Sequence, residues 1–318
     1  MRLNLALLLA IAVVLPLSLL AGRVWIDPLD STVPHAAAIL AQLRLPRALL
    51  AVIVGAGLGG AGAAMQGYLR NPLADPGLFG IAPAAAFGAV LTLFLGMAAV
   101  PFVLPAAALA GAAGAMALLA LIAGRTGGIA LFTLAGLMIA SLAGTLTSLA
   151  ISLSPNPFAT SEIVTWLMGA IADRSWADVA VAAPLTAAGL VILWRIGPLL
   201  DALMLGEQAA LSLGVEARRL VWQIVAGIGL VVGAGVAVAG IVGFVGLMVP
   251  HLVRPFTDRR PSSLLVPSAL AGALLVLVAD TACRLLPLAS ELRLGIALSL
   301  LGAPFFLALL LRMRRELA

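Results

Sequence analysis

The chain is a succession of apolar stretches about as long as a bilayer is thick, and that spacing leaves few folds open to it. Ten stretches can be placed, at roughly 4–22, 46–66, 78–100, 105–123, 129–153, 176–194, 220–239, 241–253, 264–283 and 294–311. A helix needs about 20 apolar residues to cross hydrocarbon. Lipid offers the backbone no hydrogen-bond partners, so each segment must satisfy its own N–H and C=O groups. The expectation is an all-α, polytopic membrane protein with about ten transmembrane helices. The eighth stretch is short and reads as a partial or broken span. The first has Arg2 and an apolar core, as a leader would. The Ala-Gly-Arg-Val-Trp that follows is a poor cleavage site, so it is read as a span.

Composition agrees. Charged residues make up 10% of the chain and the mean hydropathy is +1.20, against about 25% charged in soluble domains. A net charge of +5 with no long basic run gives no groove for nucleic acid. Cys283 is the single cysteine, which rules out an intrachain disulfide. All 18 basic residues are arginine. A phosphate-binding P-loop needs its lysine, and a Schiff-base enzyme needs a lysine amine. Neither chemistry is available here, so an ATP-driven protein of this sequence needs a second subunit to bind the nucleotide.

One polar island, Leu203 to Arg219, interrupts the apolar pattern. It predicts a short helix over 206–213, with Glu207 in the first turn and a glycine stop at Gly214. With the N-terminus inside, 12 arginines fall on the inner side and 6 on the outer, so basic residues concentrate inside. Both termini and the island are then cytoplasmic. Arg44, Arg47 and Arg284 stand out among the six outside. Two readings stand for them: snorkelling at the interface, or docking of an acidic partner. Arg284 follows Asp280 by four residues, a spacing that pairs them on one helix face.

Gly55, Gly59 and Ala63 give small-xxx-small spacing, which lets helix backbones approach closely. Segment 233–246 repeats that glycine-rich texture. Each is followed by a proline-bearing break, Asn71-Pro-Leu and Pro250-His-Leu, in helices expected to run oppositely. Inverted-repeat halves with paired breaks suit a transporter. Segment 154–176 predicts a short surface helix over 161–170, either at an outer mouth or as an interfacial connector. Met168 and His251 are the side chains of metal-ligand type that attract attention. Both are read as packing or capping residues, and no metal site is expected.

Seven motifs, in order along nearly the whole chain, carry a resemblance. They are Arg44-Leu-Pro-Arg47, Met65-Gln66, Arg70-Asn-Pro-Leu-Ala-Asp-Pro76, Trp166-Leu-Met-Gly169, Leu205 to Val215, Gly243 to Arg254, and Leu300-Leu-Gly-Ala-Pro-Phe-Phe306. The chain resembles the FecCD family of ABC-transporter permeases, including its cobalamin branch. The resemblance implies the type II ABC importer fold, as a single permease domain over 1–318 with a coupling loop at about 196–219. It implies that Leu205, Gly206, Glu207, Ala209, Leu213 and Gly214 seat in a partner ATPase. It assigns Arg44, Arg47 and Arg284 to docking of a periplasmic binding protein, and Asn71 and Leu73 to the inner gate. The family's second gate contact, a pair of small hydroxyl residues, falls at Ile129 and Ala130, and Arg293 replaces a frequent proline.

The implied assembly is a homodimer of the permease in the bacterial inner membrane, with two ATP-binding subunits and a periplasmic substrate-binding protein. This chain would be a transport subunit rather than an enzyme, with ATP and magnesium held by the partner ATPase and no cofactor of its own. A ferric siderophore is the first expected cargo, with cobalamin or haem as alternatives. An ion-coupled secondary carrier and a non-transporting scaffold are the readings from other classes.

Overall fold

The structure, a computed structural model, describes residues 2–22, 24–26, 35–98, 100–124, 128–288 and 290–317. Arg23 and Arg125, two of the arginines counted above, lie outside them. The helices follow one another as α1 (Arg2–Leu20), α2 (Ala36–Ile39), α3 (Leu45–Leu69), α4 (Ile81–Phe94), α5 (Val103–Ala123), α6 (Ile129–Ser152) and α7 (Pro157–Leu167). The second half continues with α8 (Trp176–Arg195), α9 (Gly197–Leu203), α10 (Glu207–Ser212), α11 (Ala217–Ala239), α12 (Val245–Val253), α13 (Pro261–Leu285) and α14 (Leu294–Leu317). No strand occurs among the described residues. Eight of the described helices are long and apolar enough to cross a membrane, and Ile81–Phe94 is a shorter apolar helix.

Two helices form the centre. α3 and α11 are buried over most of their length, and α8, α12 and α13 pack around α3. The small residues of α3 make this possible. A Cβ added at Gly55 or Gly59 would run into the carbonyl oxygens of Gly272 and Ser268 on α13. A Cβ at Gly62 would strike the Gly246 carbonyl. Without a hydrophobic force between helices in lipid, such backbone approach is what holds them together. The expected small-residue face of α3 is therefore its contact with α13.

Three elements differ in detail from expectation. The third apolar stretch gives only the 14 residues of α4, because Asp75-Pro76 first forms a 3₁₀ turn and Gly80, at φ 83°, starts the helix late. The second break lies at Gly240–Phe244, where Gly240 and Phe244 have φ 68° and 65°, and Pro250 sits inside α12. The surface helix starts earlier than expected, at Pro157, because Asn156 accepts a hydrogen bond from the Ala159 N–H at 2.9 Å.

The two breaks meet. Gln66 Nε2 donates to the carbonyls of Gly246 and Leu247 at 3.3 and 3.2 Å. Pro76 packs against Gly246. Irregular backbone at this depth is tolerated where protein or a cavity surrounds it, and both conditions hold here.

Candidate functional site

A cavity of about 560 Å³ opens beside these breaks. Val54 and Leu58 of α3, Thr147 of α6, Val236 of α11 and Phe306 of α14 are among its walls. Leu73, Asp75 and Pro76 from the first break and Ile241 to Phe244 from the second also face it. Among the described residues, Asp75 is the one ionisable side chain in the lining, and its Oδ1 accepts the Gly77 N–H at 2.7 Å. The cavity is therefore an apolar chamber bounded by the two irregular segments. Of the two expected gate residues, Leu73 is in this wall and Asn71 is not. Asn71 is exposed and shapes the turn, its Oδ1 accepting the Leu73 N–H at 2.9 Å. Thr147 escaped the sequence reading, and Phe306 entered it only as the end of a motif, since one face of a long apolar helix looks like another.

Below the cavity, the polar island forms the one short helix expected of it, α10, and a second short helix, α9, precedes it. Gly197-Pro198 starts α9, with proline in the first turn where no N–H is needed. α10 then runs from Glu207 to Ser212 between Gly206 at φ 105° and Gly214 at φ 84°. These are conformations that only glycine adopts without strain. Leu205, Leu211 and Leu213 are 68%, 56% and 63% exposed. Ala209 is half-buried and Ala210 buried, which seats the helix on the body. Glu207 Oε1 lies 3.8 Å from Arg70 Nη2. Arg70 is the left-handed C-cap of α3, at φ 50°, and leads directly into the break that walls the cavity. Five of the six expected coupling residues thus lie in or beside α10 as a surface unit, and Leu205 leads into it.

At the opposite end the three arginines expected outside come together, and each is turned onto internal partners. Arg44 donates to the carbonyls of Leu19, Leu20 and Val24 at 2.8, 2.7 and 2.7 Å, closing the C-terminal end of α1. Arg47 donates to both oxygens of Asp280, at 3.1 and 2.8 Å, and also pairs with Glu291. Arg284, only 6% exposed, donates to Ser18 Oγ at 2.7 Å and approaches Asp280 Oδ2 to 3.3 Å. The expected i, i+4 pairing of Asp280 and Arg284 is present. The cluster ties α1, α3, α13 and the segment before α14 into one ion network. Glu291 and Ser18 were not anticipated, because their partners are more than 240 residues away in the chain.

His251 packs edge-on against Phe305, with ring centroids 5.8 Å apart. Met168 is 41% exposed and stands outside the cavity lining.

Comparison with known proteins fits this arrangement. The chain is 38% identical over 303 residues to the vitamin B12 import system permease protein BtuC of Vibrio cholerae, covering 93% of this chain and 89% of that protein. It is 35% identical over 305 residues to the hemin transport system permease protein HmuU of Yersinia pestis, covering 94% and 90%. The solved inward-facing structure of an ABC transporter described as metal-chelate type superposes with a TM-score of 0.90 at 31% identity, covering 98% of this chain and 99% of that one. That likeness gives the type II ABC importer fold. The family model of the FecCD transport family matches residues 8–312, and the chain belongs to that family as a multi-pass membrane permease subunit.

Proposed function

We propose that this permease moves a metal chelate from periplasm to cytoplasm through the chamber between its two breaks, driven by ATP bound on a separate subunit. The observation that carries the mechanism is the link from α10 to the chamber: Glu207 meets Arg70, and Arg70 opens the segment holding Leu73, Asp75 and Pro76. An ATPase gripping Leu205, Gly206, Glu207, Ala209, Leu213 and Gly214 can pull on the cavity wall through this joint. The chain has no lysine for a P-loop, which supports placing ATP and magnesium on the partner. The working assembly is a permease homodimer with two ATP-binding subunits in the bacterial inner membrane, both termini cytoplasmic.

The ligand is delivered by a periplasmic binding protein whose carboxylates meet the end bearing Arg44, Arg47 and Arg284. Asn71 and Leu73 close the inner end of the path. A ferric siderophore is the first cargo, with cobalamin and haem as the alternatives that the relatives' names support. A secondary carrier needs an intramembrane carboxylate free to exchange its ion. Asp280 is engaged by both Arg47 and Arg284, and Asp75 in the chamber wall is held by the Gly77 N–H, which weighs against that reading.

The test is ATP-dependent chelate uptake into proteoliposomes holding the permease and its ATPase, with the binding protein loaded in turn with a ferric siderophore, haem and cobalamin. Uptake that needs both ATP and the loaded binding protein is expected. Uptake that persists without ATP on an ion gradient would overturn the proposal.

A further inference from the structure

A second concave surface lies on the other side of α3. Leu58 lines the cargo chamber, whereas Gly60 floors a groove between α8 and α13. Two residues along a helix amount to a turn of about 200°, so the groove faces away from the transport path. It encloses about 250 Å³, and Leu190, Val191 and Trp194 of α8 face Leu265, Val266 and Ala269 of α13 across it. Apart from the Trp194 indole N–H, its lining side chains carry no polar atom.

One end of this groove is basic. Arg195 directly follows Trp194 at the end of α8. Arg259 and Arg260 lead into α13, with Arg260 as its N-cap. The two helix ends adjoin: Ser262 Cβ stands 3.1 Å from where a Cβ on Gly197 would lie, and Asp201 of α9 accepts the Ser262 N–H at 2.9 Å. Arg195, Arg259 and Arg260 are all exposed.

Two carboxylates share this end. Asp201 is committed to Ser262. Asp258 lies 3.6 Å from Arg260. The Ser263 hydroxyl and the Arg260 N–H hold its carboxyl below the usual carboxylate range, so it stays charged at neutral pH. Among the described residues, neither Arg195 nor Arg259 has a carboxylate within 4.0 Å. The rim keeps net positive charge, to which the N-terminal end of α13 adds its partial charge. Trp194, 59% exposed, stands at the mouth, and indole rings favour the level of the headgroups.

We infer that this groove is a binding site for an anionic phospholipid, with one acyl chain between α8 and α13 and the phosphate on Arg195 and Arg259. A transmembrane helix is about 10–12 Å across with its side chains and does not enter a slot of this volume, whereas an acyl chain does. Basic pockets between membrane helices select anionic headgroups. A choline headgroup would set its own cation against the arginines. The site is separate from the cargo chamber, and its existence does not depend on which chelate is carried.

The experiment is native mass spectrometry of the full-length permease in detergent, titrated with phosphatidylglycerol and with phosphatidylcholine. One phosphatidylglycerol per chain is expected to be retained at concentrations at least tenfold below those needed for phosphatidylcholine. Arg195→Gln with Arg259→Gln should abolish that preference, and Arg195→Lys with Arg259→Lys should keep it. Ala269→Phe, which fills the slot from a partly exposed position, should abolish retention of both lipids. Equal retention of the two lipids by the unaltered chain, or a preference untouched in the glutamine pair, overturns the headgroup assignment. Retention untouched by Ala269→Phe overturns the groove.

Discussion

Arg254 Nη2 donates to Gln66 Oε1 at 2.8 Å, while Gln66 Nε2 holds the Gly246 and Leu247 carbonyls. One buried amide therefore joins α3 to the start and the end of α12. Gln66→Leu leaves a guanidinium nitrogen and two carbonyls without this partner. Single interhelical hydrogen bonds in membranes are worth about 0.6–1.7 kcal/mol, and unsatisfied buried groups add about 1–3 kcal/mol. The expected outcome is a lower melting temperature in detergent and reduced uptake. Gln66→Glu, which keeps the acceptor toward Arg254, should lose less.

The Glu207–Arg70 pair makes a different prediction. Its side chains are 50% and 38% exposed and 3.8 Å apart, so it contributes about 0–1 kcal/mol to stability. Glu207→Ala should fold and assemble normally. If this contact carries motion from the ATPase to the cavity wall, the variant will hydrolyse ATP at near-normal rate while uptake falls several-fold. Measuring both rates in the same proteoliposomes decides it. A proportional loss of both would mean that the pair only seats the ATPase.

The outer network separates structural from docking roles. Asp280 is 1% exposed and shared by Arg47 and Arg284. Removing one member of a buried ion cluster costs about 3–5 kcal/mol. Arg47→Ala should therefore give a poorly folded protein, seen as loss of the monodisperse peak in size-exclusion chromatography. Glu291→Gln should be mild, because its side chain is 30% exposed and Asp280 still holds Arg47. Arg44 caps α1 from a half-buried position. Arg44→Gln, which keeps a side-chain donor for the capped carbonyls and removes the charge, is the variant expected to fold and yet lose stimulation of ATP hydrolysis by the binding protein. Unchanged stimulation would remove Arg44 from the docking surface.

Much of this was legible in the sequence because lipid imposes a strict rule on length and hydropathy. Residues 46–66 and 220–239 read as spans and became α3 and α11, the buried centre. The island announced α10 through its glycines, since Gly206 and Gly214 stand where positive φ is required. The neighbouring α9 was missed although Gly197-Pro198 is a usable start signal. Which arginines gather at the outer end was visible, but what they touch was not. Arg47 meets Asp280 and Glu291 across 233 and 244 residues of chain, and no local pattern encodes such a pairing. The chamber was the least legible part. Thr147 and Phe306 lie on helices whose lipid-facing and cavity-facing positions use the same residue types.

The close approach of α3 and α13 gives the sharpest stability contrast. At Gly59 a Cβ would collide with the Ser268 carbonyl oxygen, a backbone atom that cannot swing aside. Gly59→Val must therefore push two central helices apart, breaking the packing on which membrane helices depend. Overpacking costs about 1–3 kcal/mol even where side chains can adjust, and here the obstacle is backbone. At Gly114, an exposed position of α5, nothing lies within 4 Å of the same added atom. Gly114→Ala removes only conformational freedom, which favours the helix by up to about 1 kcal/mol. Thermal melts of the two variants in one detergent should move in opposite directions: Gly59→Val sharply down, Gly114→Ala level or slightly up. If Gly59→Val melts with the unaltered protein, the α3–α13 contact does not hold the core together.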